Sequence, residues 1–304
     1  MLDILSTIGN TPLVELTNII RGKSPIRLLA KVEGFNPGGS VKDRAALYMI
    51  REAENSGKLT KAKSILEATS GNTGIALAMI GAAKGYRVHI VIPACVSTER
   101  LKILEALGAS VELTPAEKGT DGAIERARQL LENNPEKYYM PNQFANFCNC
   151  LAHYETTGPE IFAQTEGGVD VFVAGMGTTG TIMGAGKYLK ERKPSITVIG
   201  VEPQIGHCIQ GLKNLSEATV PEIFNRGLLD EKITVNDEEA FEITRQLALK
   251  EGIFSGMSSG AAVAGALRVA AELQKGTVVT ILPDRGDRYL STHLFRSVCG
   301  KCPP

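Results

Sequence analysis

The chain has 304 residues, 43% of them hydrophobic, enough for two domains of ordinary size. Lys+Arg and Asp+Glu both total 33, and this balance argues against a nucleic-acid partner, which usually requires a basic excess. Trp is absent and aromatics are 5%, so base-stacking platforms are not expected either. The longest apolar run, near Ile75 to Ala83, is too short to span a bilayer. The N-terminus lacks a basic stretch followed by an apolar one, so no signal peptide is expected. Six cysteines without regular spacing suit a reduced protein in the cytoplasm. Cys299 and Cys302 read as a frayed, Pro-ending tail, and no metal site is expected.

In chain order, Ile8 to Leu13 reads as a turn entering a short strand, and Ile26 to Val32 as a second strand. Asn36-Pro-Gly-Gly39 is a turn by composition, and Ser40 is placed as the cap of a helix carrying Lys42 in its first turn. Strands at Ser64–Ala68, Arg87–Ile92 and Ser110–Leu113 alternate with helices at Ile75–Lys84, Ser97–Leu107 and Asp121–Leu131. After a loop with Gln143, the alternation restarts. It gives a helix at Thr157–Gln164, a strand at Asp170–Ala174, a helix at Ile182–Lys190 and a strand at Thr197–Val201. Residues 206 to 232 read as irregular. Helices at Asp237–Lys250 and Gly260–Leu273 precede a buried strand at Thr277–Leu282. Two such runs predict an α/β protein of two domains, each a twisted, mostly parallel sheet with helices on both faces. Ligands of such sheets bind at the carboxyl ends of the strands.

Three loops at those ends carry the chemistry. Gly175-Met-Gly-Thr-Thr-Gly180 follows a strand and opens a helix, and its G-x-G-x-x-G spacing fits a dinucleotide site, with Glu202 near the ribose position. It also fits a tight helix–strand turn. Thr178, Thr179 and Thr181 favour a third reading, a compact cup for one phosphate monoester. Thr69, Ser70, Asn72 and Thr73 surround another helix start with hydroxyls, an amide and no charge, which suits a carboxylate. Ser258 and Ser259 open a further helix as ordinary caps, and the charges of Asp284 to Arg288 are read as surface pairs or as functional groups. Lys42, in a helix's first turn, is either a solvated lysine or one held neutral as a nucleophile. A reactive amine, a phosphate cup and a carboxylate cup together specify pyridoxal phosphate (PLP) chemistry on an amino acid.

Asn36-Pro-Gly-Gly-Ser-Val-Lys42-Asp-Arg, Thr69-Ser-Gly-Asn-Thr-Gly74, Gly177-Thr-Thr-Gly-Thr181 and Gly256-Met-Ser-Ser-Gly260 resemble the motifs of the cysteine synthase (O-acetylserine sulfhydrylase) family. The likeness runs from Ile8 to Leu290. It implies the tryptophan-synthase-β type PLP fold (fold type II). It implies a larger cofactor domain of residues 1–40 plus 146–304, and a smaller mobile domain of residues 41–145. It implies that Lys42 forms the internal aldimine and moves the α-proton. Asn72 would bind the cofactor's phenolic oxygen, and Gly177, Thr178, Thr179, Gly180 and Thr181 its phosphate. Ser258 would face the ring nitrogen, and Thr69, Ser70, Asn72, Thr73 and Gln143 would receive the substrate carboxylate. The implied reaction replaces the acetate of O-acetyl-L-serine with sulfide through an α-aminoacrylate, in a homodimer.

The segment Lys213 to Phe224 resembles the B-type isozyme, which also takes thiosulfate; relatives of that type carry Arg at the position of Lys213. Lys213 is therefore expected to draw an anionic donor or leaving group to the cleft, and otherwise to be a solvated loop lysine. The alternatives are O-phosphoserine sulfhydrylase, cystathionine β-synthase or a serine/threonine dehydratase on the same fold. A nucleotide-binding protein using only the glycine loop is the alternative of another class.

Overall fold

The computed structural model describes residues 3–20, 22 and 25–295. Cys299 and Cys302 lie outside the described residues. Two sheets organise the chain. The larger has six strands: β1 (Leu13–Glu15), β2 (Ile26–Val32), β7 (Val171–Gly175), β8 (Thr197–Pro203), β9 (Glu231–Val235) and β10 (Gly276–Leu282). Their spatial order is β1-β2-β10-β7-β8-β9, and only the β1–β2 pair is antiparallel. The smaller sheet is fully parallel, in the order β5-β4-β3-β6. It comprises β3 (Ser64–Ala68), β4 (Val88–Pro93), β5 (Ser110–Thr114) and β6 (Tyr138–Tyr139).

The central strands are buried on both faces, which is why they read as continuous apolar runs. In β7, Val171 and Val173 pack into one core while Phe172 and Ala174 pack into another on the opposite face. The first of these cores holds α9 (Met257–Glu272) and α8 (Asp237–Glu251) against the sheet; α7 (Gly180–Arg192) covers the other face. The small sheet repeats the pattern. Ile90 and Ile92 of β4 face α2 (Asn72–Lys84) and α1 (Lys42–Asn55), whereas Val91 faces α4 (Gly119–Asn133). The remaining helix of this unit, α3 (Thr98–Ala106), packs at the edge beside α2 and β5.

Several local expectations shift. Ser40 is not the cap of α1: that place belongs to Val41, and Ser40 instead forms a β-bridge to Asp284. The helix bearing Ser258 begins three residues earlier than Gly260, at Met257, with Gly256 as its cap, so both serines lie in its first turn. The region read as irregular, 206–232, gives way at its end to β9, whose mostly exposed residues are hard to read as a strand because it lies at the sheet edge. Helical structure also starts earlier than Thr157. It runs through α5 (Cys148–Ala152), a π-helical turn at His153–Thr157 and α6 (Gly158–Gln164). Asparagines and two cysteines in 146–150 hide it from a periodicity reading.

Candidate active site

Loops from the carboxyl ends of β3, β7 and β10 converge on one cavity of about 880 Å³. Lys42, Thr69, Ser70, Asn72, Thr73 and Gln143 line it from the small-sheet side. Gly177, Thr178, Thr179, Thr181 and Ser258 line it from the large-sheet side, with Lys213 at the rim. Gly180 is the one marked residue that does not line it; it begins α7 behind the loop.

Lys42 is the first residue of α1. Its ammonium has no hydrogen bond or ion pair among the described residues. Burial pushes its pKa down from the ordinary lysine value, and the nearby carboxylates of Asp284 and Glu33 only partly oppose this. A lysine so placed loses its proton more readily than one in water, which is what a nucleophilic amine needs.

The glycine–threonine loop is built as an anion cup. Thr179 adopts a left-handed conformation, φ 68°, immediately before the 13-residue helix α7. Its buried hydroxyl has no partner among the described residues. Close packing explains the glycines: a Cβ on Gly177 would lie 2.2 Å from the carbonyl oxygen of Gly211. Thr181 Oγ1 lies 3.3 Å from His153 Nε2, whose other ring nitrogen meets Thr157 Oγ1 at 2.8 Å. Burial, then the charge of Arg44, holds His153 well below the usual histidine range, so it is neutral. An unpartnered hydroxyl, free N–H groups and a helix start fit a phosphate dianion.

The second loop opens α2. Gly71, φ 146°, caps the helix, and Arg100 fills the space where a side chain would stand, with its Cδ at 2.3 Å from an ideal Cβ. Thr69 Oγ1 accepts the Gly71 N–H at 3.0 Å, and Thr73 donates to Gln143 Oε1 at 2.6 Å. The hydroxyl protons of Thr69 and Ser70 have no acceptor among the described residues, and the first amides of α2 lie at its cavity end. Such a site accepts a carboxylate.

Asn72 is held from both sides. Its Nδ2 donates to Asp284 Oδ2 at 2.7 Å, and Arg288 Nη1 donates to its Oδ1. Arg288 also donates to the Gly38 carbonyl, and Tyr289 donates to Asp284 Oδ2 at 2.6 Å. The charged segment after β10 thus splits. Arg285 and Asp287 form a surface pair, while Asp284 and Arg288 are buried in the site. Its position at the carboxyl end of a buried strand was the one signal in the sequence pointing that way. Asn149 and His153 gave no such signal, because they sit in a stretch read as loop.

Lys213 is not solvated. It pairs with Asp121 Oδ1 at 3.2 Å and stands 4.6 Å from the centre of the Phe144 ring. These three residues also wall an adjoining cavity of about 360 Å³. Among the described residues no cluster could hold a metal ion, and no helix is long and apolar enough to cross a membrane.

Residues 4–284 match the family model described as pyridoxal-phosphate dependent enzyme. The cysteine synthase of Aquifex aeolicus is 48% identical over 299 residues, covering 96% of this chain and 91% of that protein. Cysteine synthase B of Salmonella typhimurium is 48% identical over 289 residues, covering 95% of this chain and 94% of its own. The crystal structure of O-ureido-L-serine synthase superposes with a TM-score of 0.93 at 40% identity, covering 99% of this chain and 97% of that one. With the amine, the phosphate cup and the carboxylate loop in one cavity, the chain belongs to the pyridoxal-phosphate dependent enzyme family.

Proposed function

We propose that the protein is a cysteine synthase, replacing the acetate of O-acetyl-L-serine with sulfide to give L-cysteine. One observation carries this reading: Lys42, buried and without an ion pair among the described residues, shares a cavity with two separate anion sites, a size that suits one small amino acid beside one phosphate. The names of the two relatives at 48% identity support it.

When bound, PLP supplies an aldehyde that captures an amine and a ring that withdraws electrons from the α-carbon. Gly177, Thr178, Thr179 and Thr181 would hold its phosphate, with Gly180 starting α7 behind them, Asn72 would hold its phenolic oxygen, and Ser258 its ring nitrogen. A serine hydroxyl does not force that nitrogen to stay protonated, which moderates the electron withdrawal and favours elimination and replacement. Thr69, Ser70, Asn72, Thr73 and Gln143 orient the substrate carboxylate. Lys42 Nζ accepts the α-proton as acetate departs, and returns it after sulfide adds at Cβ. Residues 41–145 form the smaller domain, and its closure over residues 1–40 and 146–304 excludes water from the reacting centre. The segment Lys213 to Phe224 supports a B-type enzyme, in which Lys213, at the rim, attracts an anionic sulfur donor such as thiosulfate. The family resemblance supports a cytoplasmic homodimer, and the free Cys95, Cys148, Cys150 and Cys208 suit a reducing compartment.

The purified protein should be yellow, and borohydride should fix the cofactor to Lys42. O-acetylserine should shift the visible spectrum, and sulfide should restore it with release of cysteine. A loaded enzyme whose spectrum ignores O-acetylserine would exclude this substrate.

A further inference from the structure

Asn149 lies behind the cavity, between its two anion sites. Its side chain is 1% exposed. Nδ2 donates to the Gln143 carbonyl at 2.9 Å and to Thr178 Oγ1 at 3.0 Å. An amide nitrogen carries two hydrogens, so both are engaged, one toward each loop. The Gly180 N–H also points at Thr178 Oγ1, at 3.4 Å. The Thr178 oxygen therefore acts as an acceptor from behind, and its single proton is left for an acceptor on the cavity side. On the other arm, Gln143 is pinned at its carbonyl by Asn149, at Oε1 by Thr73 (2.6 Å), and at Nε2 by the Ala68 carbonyl (3.1 Å). Gly180 completes the arrangement: a Cβ there would stand 2.0 Å from Asn149 Oδ1, so the amide occupies the space that only glycine leaves.

We infer that Asn149 is a positioning residue that aims the Thr178 hydroxyl at the cofactor phosphate and holds the Gln143 turn at a set distance from it. The inference rests on the PLP reading above. One side chain then couples the cofactor site to the substrate-carboxylate site without touching either ligand.

The test is a double-mutant cycle on the holoenzyme. Wild type, Asn149→Ala, Thr178→Val and the double variant are diluted into alkaline phosphatase, which destroys released PLP, and loss of visible absorbance is followed. Thr178→Val should speed release by about tenfold, the worth of one buried hydrogen bond to a charged group, and Asn149→Ala, which only misaims that hydroxyl, by about threefold. The double variant should release no faster than Thr178→Val alone. Thr178→Ser, which keeps the hydroxyl, should keep its sensitivity to Asn149→Ala. L-serine, titrated by its spectral shift, should bind more weakly when Asn149 is changed, in either background. Asn149→Ser, too short to span both acceptors, replaces the alanine variant in the cycle if that variant does not fold. Equal acceleration by Asn149→Ala with and without the Thr178 hydroxyl would overturn the coupling while leaving the PLP reading intact. A wild-type protein that holds no PLP would sink both.

Discussion

Asp284 and Asn72 are joined by a 2.7 Å hydrogen bond across 212 positions of chain. Arg288 grips the opposite end of the same amide. A carboxylate on one side and a guanidinium on the other leave Asn72 a single orientation, oxygen toward Arg288 and nitrogen toward Asp284. Asp284→Ala should release that amide and the Tyr289 hydroxyl together, costing about 2–3 kcal/mol. Asp284→Asn, which keeps an acceptor oxygen, should cost less. Urea unfolding of the three proteins checks the order.

Glu67 is buried near the end of β3 without an ion pair among the described residues, and its Oε2 accepts the Asn142 N–H at 2.8 Å. Burial pushes its pKa up to about 8, against backbone N–H groups of Asn142, Gln143 and Ala68 that favour the charge. A raised carboxyl pKa means the folded state binds the extra proton. Its stabilising contribution is complete below the unfolded value near 4.5 and declines as pH rises to about 8. Glu67→Gln removes that dependence. The Tm of the variant relative to wild type should therefore rise between pH 5 and pH 9; a constant difference would show that Glu67 does not titrate there.

Arg44 forks two carboxylates. It meets Glu33 at 2.7 and 2.9 Å and Glu160 at 2.6 and 2.8 Å, and Lys31 pairs with Glu160 at 2.7 Å. Burial works to raise the Glu33 carboxyl, but Arg44 overrides it and holds the group below the usual range. Arg44→Leu strands Glu33 in the core, and about 3–5 kcal/mol should be lost at pH 7. Adding Glu33→Gln should recover part of it. In wild type, the stabilisation from Glu33 and Glu160, both depressed, is present above pH 4.5 and should fade as pH falls through their lower folded values.

Lys213 ties the rim of the cavity to the start of α4 through Asp121. Lys213→Ala should raise KM for thiosulfate several-fold, because an anion loses its counter-charge, while sulfide turnover changes less. Lys213→Arg should tighten the anion, since a guanidinium grips two oxygens at once. Equal kcat/KM values for all donors in wild type and the alanine variant would remove Lys213 from donor choice.

Much of the molecule is written locally in the chain. The βα alternation, the glycine–hydroxyl loops at strand ends and the place of Lys42 in a helix's first turn follow from side-chain periodicity and turn chemistry, which act over a few residues. The edge strand β9 and the helical stretch from Cys148 escape that logic, because neighbours decide them rather than intrinsic preference. The functional environment needed the tertiary fold altogether. Whether Asp284 and Arg288 form surface pairs or hold Asn72, whether Lys213 is solvated or bound to Asp121, and whether Asn149 reaches Thr178 are set by contacts between residues 29 to 216 positions apart. Sequence determined which groups the chain could offer to a ligand. Only packing decided which of them lose water and find partners, because desolvation and charge pairing depend on what lies across the cavity and not on what lies next in the chain.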